Sequence, residues 1–588
     1  MRLLIGTLCK RLQSDDYLFV AAIDIGTTYS GYAFSSRDNY KENPTEIITK
    51  TWNASSGNLE SLKTSTCVLF DEEKKFHSFG FAAEDKFMQL ASENKHKEWF
   101  FVHRFKMELY NKKTLDENLF IKSENGESLP ALTVFSAVIS YLKNKMMEDM
   151  MLKNLNVHDY GLRWVITVPA IWTDSSKSFM RRCAIEAGIA KERLTIALEP
   201  EAAAIYTNFS SIRRTFASSS ISCRKGIKYL VCDAGGGTVD ITVHEMIDDE
   251  GHVRELYKAS GGDWGGTKVD QEVKKFYEKI VGKDVMEKFK ERNMEGALEL
   301  ARDFETKKRA FKPNSEKKVL LKFPLSLQDI YEDLNNGNTI ENDILKKNVN
   351  NDVQIRRDKI VVSADVFGSF FTPSLVSICN HISKIFENPD VRDVKIILLV
   401  GGYAESEILT SELEKKFPDQ KLVIPKEPGL SVLKGAVIFG HEPELIQERK
   451  AKYTYGIECS TVFCEGKHRE DYKKEVDGVV YCARVFDRHV KIGSSLTVGK
   501  YQSTRTYSKQ ANALAQNMYV YASSQENPKY VTDDGCFLLG STKLEFEGGK
   551  TMGASVIEAQ MSFSGTEIEV TLTCKTTGRV TKVHLENK

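Results

Sequence analysis

Residues 228–245 read KYLVCDAGGGTVDITVHE, and no other stretch limits the fold of this chain so tightly. The apolar run over 229–232 predicts a buried strand that ends at Asp233. Gly235, Gly236, Gly237 and Thr238 then form a reversal, and residues 239–243 return as a second apolar strand carrying Asp240. The tip of such a hairpin has almost no side chains, so its backbone N–H groups can come close to a ligand. Successive N–H groups of this kind make an anion-binding concavity, and a triphosphate suits it. An acid beside phosphates repels them unless a cation lies between, which makes Asp233 a partner for a hydrated Mg²⁺. The competing reading is an ordinary glycine turn, because a single glycine-rich match is weak by itself.

A second copy upstream strengthens the ligand reading. Residues 17–33 read YLFVAAIDIGTTYSGYA: an apolar strand, Asp24 at its end, a tight turn through Gly26, Thr27 and Thr28, and a returning strand. Two such hairpins predict two related halves with a nucleotide between them.

At 588 residues the chain is too long for one hydrophobic core, and length predicts about three to five domains or subdomains. Lys plus Arg and Asp plus Glu both number 82, so no global field draws it to nucleic acid or to a membrane surface. No run approaches the roughly 18 apolar residues of a membrane helix. Residues 1–17 are basic, but their apolar stretch is short and broken, which predicts an N-terminal extension rather than a signal peptide. The 11 cysteines form no CxxC pair. That favours reduced thiols and a cytoplasmic location, with the nucleus as a second compartment. Cys459, Cys464 and His468 match no standard zinc spacing, so coincidence is the favoured reading.

Residues 98–110, EWFFVHRFKMELY, combine aromatic and basic side chains. Either this is a half-buried segment with solvated charges, or one of His103, Arg104 and Lys106 faces the phosphates. Residues 132–155 have helical periodicity, 163–169 read as a strand, and 175–188 as a helix closed by Gly188. Residues 194–206 give a strand, an acidic turn at Glu199-Pro200 and an Ala-rich helix. Residues 210–226 read as a surface loop. The charged helix over 295–311 carries Glu305, Lys308 and Arg309, which suit a solvated face or a nucleotide contact. Residues 395–405, KIILLVGGYAE, predict a buried strand with Gly401 and Gly402 at its C-terminal end, where open α/β sheets bind ligands. Residues 444–454 read as a charged linker, and beyond it alternating runs predict a small all-β domain over 455–588. P-loop, dinucleotide-fingerprint, nucleophile-elbow and HExxH motifs are absent.

Together these motifs resemble the actin, sugar kinase and seventy-kilodalton heat-shock protein superfamily. IDIGTTYSG and DAGGGTVDI resemble its two phosphate loops, WVITVPAIWTDSSK and KGAVIFG its connecting segments, and LLVGGYAES its adenosine loop. VPAIWTDS, EPEAAAIY and ETKKRAF point to the heat-shock branch. FKMELY and GGYAES point to its divergent twelve-type members. The resemblance implies a two-lobed actin-like ATPase fold of duplicated ribonuclease-H-like halves over 18–443, followed by a β-sandwich without a helical lid. It implies ATP/ADP and Mg²⁺ as ligands, with Asp24 and Asp233 holding the metal and Glu199 and Asp240 completing the network around the attacking water. Gly26, Thr27, Thr28, Tyr29, Gly235, Gly236, Gly237 and Thr238 would cradle phosphates; Gly401 and Gly402 would approach the nucleoside, and Glu305, Lys308 and Arg309 would close over it.

The implied activity is a slow ATPase chaperone that holds a protein client through its β-domain and works with co-chaperones. The alternative is a nucleotide-gated scaffold with little turnover and one dedicated protein partner. A sugar kinase is disfavoured. Three departures stand out. The adenosine loop has Tyr403 and Glu405 where the family places a small residue and a stacking arginine, so only Tyr403 can replace the lost stacking. The family's phosphate-facing lysine has no unambiguous counterpart. The charged linker replaces an apolar one, which puts coupling between the domains in question.

Overall fold

Parallel pairing beside a hairpin is the organising theme of this computed structural model. It describes residues 17–584 except 55–58, 111, 113–118, 156, 211–224, 314–316, 341–351, 477, 509–514, 546–555 and 564–567. The expected extension and nearly all of the expected loop over 210–226 lie outside the described residues. The protein is a mixed α/β molecule with many sheets and helices, consistent with an actin-like ATPase fold.

In the first unit the strands Phe19–Ile25 and Tyr29–Ser36 form the hairpin read from the sequence, with Asp24 opposite Gly31. Phe19–Ile25 also pairs in parallel with Leu162–Val168, which pairs in parallel with Leu194–Leu198. The second unit repeats this order. Lys228–Ala234 and Val239–Met246 form a hairpin with Asp233 opposite Asp240, and Lys228–Ala234 pairs in parallel with Ile396–Val400 and through it with Lys421–Val423. Strands buried on both faces need apolar side chains throughout, which is why these runs stand out in the sequence.

Two helices, Glu199–Phe209 and Ser431–His441, lie between the two sheets. Ala202, Ala203 and Ala204 on one face Gly435 and Ala436 on the other. A Cβ on Gly435 would sit 1.7 Å from the Ala202 carbonyl oxygen, so only glycine lets the backbones approach this closely. Beyond them, residues 454–584 hold two antiparallel sheets around a common core that includes Ile457, Val520, Ile557 and Val570.

The expected linker over 444–454 requires a correction. Ile446–Lys450 is a strand that pairs in parallel with Val253–Gly262, and Ser495–Thr497 pairs antiparallel with its outer side. The second unit's sheet therefore continues, through this segment, into the C-terminal strands. Charge in the sequence suggested exposure, but Arg449 is buried and makes a two-pronged ion pair with buried Glu201, with both N···O distances 2.6 Å. The amide of Lys450 donates to Glu255 at 2.6 Å, and burial, with Glu201 nearby, pushes that carboxyl up to about 8.

Removing one partner of a buried pair strands the other charge, at about 3–5 kcal/mol. Arg449→Met should lose that much stability in denaturant unfolding, and adding Glu201→Gln should recover a large part. A loss under about 1 kcal/mol would contradict the buried pair.

Candidate functional site

The C-terminal ends of the parallel strands bring four acids to one place. Asp24 sits near the end of Phe19–Ile25, Glu199 just past Leu194–Leu198, Asp233 near the end of Lys228–Ala234, and Asp240 on the returning strand. All four are buried, at 8% exposure or less. They sense one another: Asp233 is pushed well up by burial and by the charges of Glu199, Asp240 and Asp24. The two acids read from the two hairpins therefore do share one space.

The hairpin tips touch. A Cβ on Gly236 would lie 2.3 Å from Thr28 Oγ1, and one on Gly237 would lie 2.4 Å from Thr27 Oγ1. Glycine at these positions is required by close approach of the opposite tip. The carbonyls of Gly235, Gly236 and Gly237 accept from the amides of Gly266, Thr267 and Gly265, at the N-terminal end of the helix Gly266–Val281. Gly26 donates its amide to the Tyr29 carbonyl at 3.1 Å, which closes the first turn.

Two lysines enter the acid cluster. Lys106 is 4% exposed and its Nζ lies 2.6 Å from Glu199 Oε1. Of the three cations considered for this role, it is the one in the cleft. His103 bonds Glu124, and Arg104 reaches Asp270 at 2.6 Å. No motif or spacing points to Lys63, whose Nζ is 2.6 Å from Asp24 Oδ2. It arrives because Thr64–Ser65 pairs with the first hairpin. Thr167 Oγ1 donates to Asp24 Oδ1 at 2.7 Å. That contact follows from the parallel register, Ile23 beside Ile166.

These cations divide the acids. Burial alone would raise Asp24, but Lys63, Lys106 and the bonds from Lys63 and Thr167 hold it below the ordinary aspartate range. Burial with Asp24 and Asp240 nearby, opposed by Lys106, pushes Glu199 up to about 7. Burial raises Asp240 too, against donors from the Ile171 amide and Thr238. Four buried acids face two lysines, so the carboxyls outnumber the cations that could pair with them. A donor set made only of carboxylate oxygen fits a hard divalent cation such as Mg²⁺.

The residues expected to meet a nucleoside divide in their placement. Gly401 adopts φ +90°, and a Cβ there would meet Asp233 Oδ1 and the Ala234 carbonyl at 2.4 Å. Its amide donates to the Pro428 carbonyl, and Gly402 has open space at its Cα. Tyr403, the residue that could replace the stacking, is buried in the second unit's core at 6% exposure. Glu305, Lys308 and Arg309 form one network: Lys308 bonds Asp270 and Glu305, and Arg309 bonds Glu305. Lys308 is buried, whereas Arg309 is exposed and its guanidinium lies 4.7 Å from the Tyr29 ring centroid, spanning the two units.

A family model described as a domain of unknown function (DUF8340) matches residues 224–391. Heat shock 70 kDa protein 12A of Homo sapiens is 33% identical over 628 residues, covering 98% of this chain and 92% of that protein. The Mus musculus protein of the same name is 33% identical over 626 residues, with the same two coverages. Heat shock 70 kDa protein 12B of Homo sapiens is 30% identical over 635 residues, again covering 98% and 92%.

The folded chain keeps a proton on Glu199 until about pH 7, whereas an unfolded glutamate releases it near about 4.3. The stability from this group is complete below about pH 4 and is lost as pH rises through about 7. Lys106→Met should therefore cost less at pH 5, where Asp24 is the ionised acid that faces Lys106, than at pH 8, where the loss should reach about 3 kcal/mol, read by thermal unfolding without metal. Equal losses at both pH values would contradict this placement of Lys106.

Proposed function

This chain belongs to the heat shock protein 70 family, alongside heat shock 70 kDa proteins 12A and 12B, and from that premise we propose that it binds Mg·ATP between its two hairpins and hydrolyses it slowly. One observation carries the reading: four buried acids and two lysines converge where two glycine and threonine tips meet. In this reading the two units are the duplicated halves of an actin-like domain. The two C-terminal sheets are a β-sandwich that holds a protein client, and the protein works in the cytoplasm.

Asp24 and Asp233 would hold the hydrated Mg²⁺, which when bound spreads the charge of the β- and γ-phosphates. Thr27, Thr28, Tyr29, Gly235, Gly236, Gly237 and Thr238 would cradle the phosphate oxygens. Phosphoryl transfer to water depends mostly on positioning and charge stabilisation. Glu199, with a pKa near neutrality, suits a group that takes a proton from water, and Asp240 orients from the opposite strand. Lys106 brings positive charge between the two.

A second reading, a nucleotide-gated scaffold with little turnover and a dedicated partner, is favoured by direct contacts between the two units. Arg302 pairs with Glu84 at 2.9 Å, Lys290 with Glu124 at 2.5 Å, and Met294 packs among Phe87, Leu90 and Phe101. Such contacts slow release of whatever is bound.

Calorimetric titration with ATP and ADP, with and without Mg²⁺, followed by single-turnover hydrolysis, separates the readings. Mg·ATP should bind, and Asp233→Asn should weaken it about 10- to 100-fold. Hydrolysis above an Asp233→Ala control supports the ATPase; binding with no such excess leaves the scaffold. Absence of nucleotide binding would overturn both.

A further inference from the structure

A depression of about 400 Å³ lies on the first unit and shares no residue with the acid cluster. The helix Ala131–Leu152 forms its floor. The turn between the strands Cys67–Phe70 and Phe76–Phe79 makes one wall, and the end of the helix Asp174–Glu186 makes another.

The floor follows from the sequence. Residues 131–142, ALTVFSAVISYL, begin the helix without a single charge. The outer face of a surface helix ordinarily carries charged and polar side chains, many of them long. Between these walls it presents Thr133, Ser136 and Ser140 instead, at the i, i+3 and i+7 spacing of one helix face. Their short side chains leave the trough open. Ser136 Oγ donates to the Thr133 carbonyl at 3.3 Å, so its lone pairs remain for the N–H groups of a ligand.

The walls differ in charge. On the first, Phe76 is 39% exposed although Phe70 meets it edge-on at 6.2 Å and Tyr141 packs at 5.8 Å. The ring is held in place and left uncovered. Lys74 stands on the same wall, and its pair with Glu127 at 3.6 Å is exposed on both sides, so that pair costs little to break. On the other wall Glu186 ends its helix, and the last turn carries no basic residue. A carboxylate there adds to the negative end of the helix dipole instead of offsetting it. Lys143, close by, is committed to the Gly188 carbonyl at 2.8 Å and to Asp159 at 3.0 Å.

We infer that this trough binds a small zwitterion with a planar cationic end, the chemistry of free arginine. The guanidinium pairs with Glu186, and its five N–H groups suit a row of hydroxyl acceptors better than the three of an ammonium do. The aliphatic stem covers Phe76, and the carboxylate meets Lys74. None of this rests on the Mg·ATP reading.

The full chain is titrated calorimetrically with L-arginine, with citrulline, which is neutral at the far end, and with agmatine, which lacks the carboxylate. Arginine should bind with a Kd of about 1 mM or tighter, and the other two about fivefold or more weakly. Glu186→Gln should erase the preference over citrulline and keep that over agmatine, and Lys74→Met should do the reverse. Both residues are exposed, so these variants should keep their fold. Ser136→Leu, which fills the floor, should abolish binding; should that variant not fold, the two charge variants decide the matter. No saturable heat with arginine at about 10 mM, or an affinity and preference that Glu186→Gln and Lys74→Met leave unchanged, would overturn the inference.

Discussion

Four carboxylates, from Asp24, Glu199, Asp233 and Asp240, repel one another in a space that water scarcely reaches. Lys63 and Lys106 offset part of that repulsion, and a divalent cation would offset the rest. Much of the surrounding architecture follows from keeping these groups together. Parallel strands deliver Asp24, Glu199 and Asp233 at their ends. Hairpin returns deliver Asp240 and the turn residues. Glycines at 236, 237 and 401 let backbones and tips approach where a Cβ would collide. A cluster of this kind costs stability in the absence of a ligand, a pattern typical of binding sites rather than of structural cores.

The same logic extends to the connection with the C-terminal sheets. An apolar linker can bind and release a surface with little specificity. Here the segment is a paired strand anchored by Arg449 on Glu201 and by the Lys450 amide on Glu255, with Lys452 beyond it. Glu201 lies on the helix that begins with Glu199, and Glu255 lies on the strand after Asp240. The anchors of the linker therefore attach to the elements that carry two of the site acids. Buried polar contacts thus hold the charged segment against both elements.

The hairpins, the acids at strand ends, the Ala-rich helix and the glycine pair at 401–402 were legible in the sequence because each follows from local periodicity or turn chemistry. Register and distant pairing were not. Lys63 reaches Asp24 only because a two-residue strand pairs with the first hairpin, and no spacing in the sequence announces it. Thr167 could have been found by strand parity once the parallel register was known. Tyr403 has the right chemistry for stacking, but the chain turns its ring into the core. Residues 444–454 misled because their charges were read one at a time, when Glu201, their partner, lies about 250 residues upstream.

The central claim is that one acid from each hairpin holds a single metal-bound nucleotide. Electron paramagnetic resonance of Mn²⁺ with ADP and the full chain tests it most directly. The account predicts that Asp24→Asn and Asp233→Asn each abolish the nucleotide-dependent bound-Mn²⁺ signal. Asp248→Asn, in the surface cluster with Glu250 and His252, should leave it intact. A signal that survives removal of either hairpin acid, or that is lost only with Asp248, would contradict the shared site.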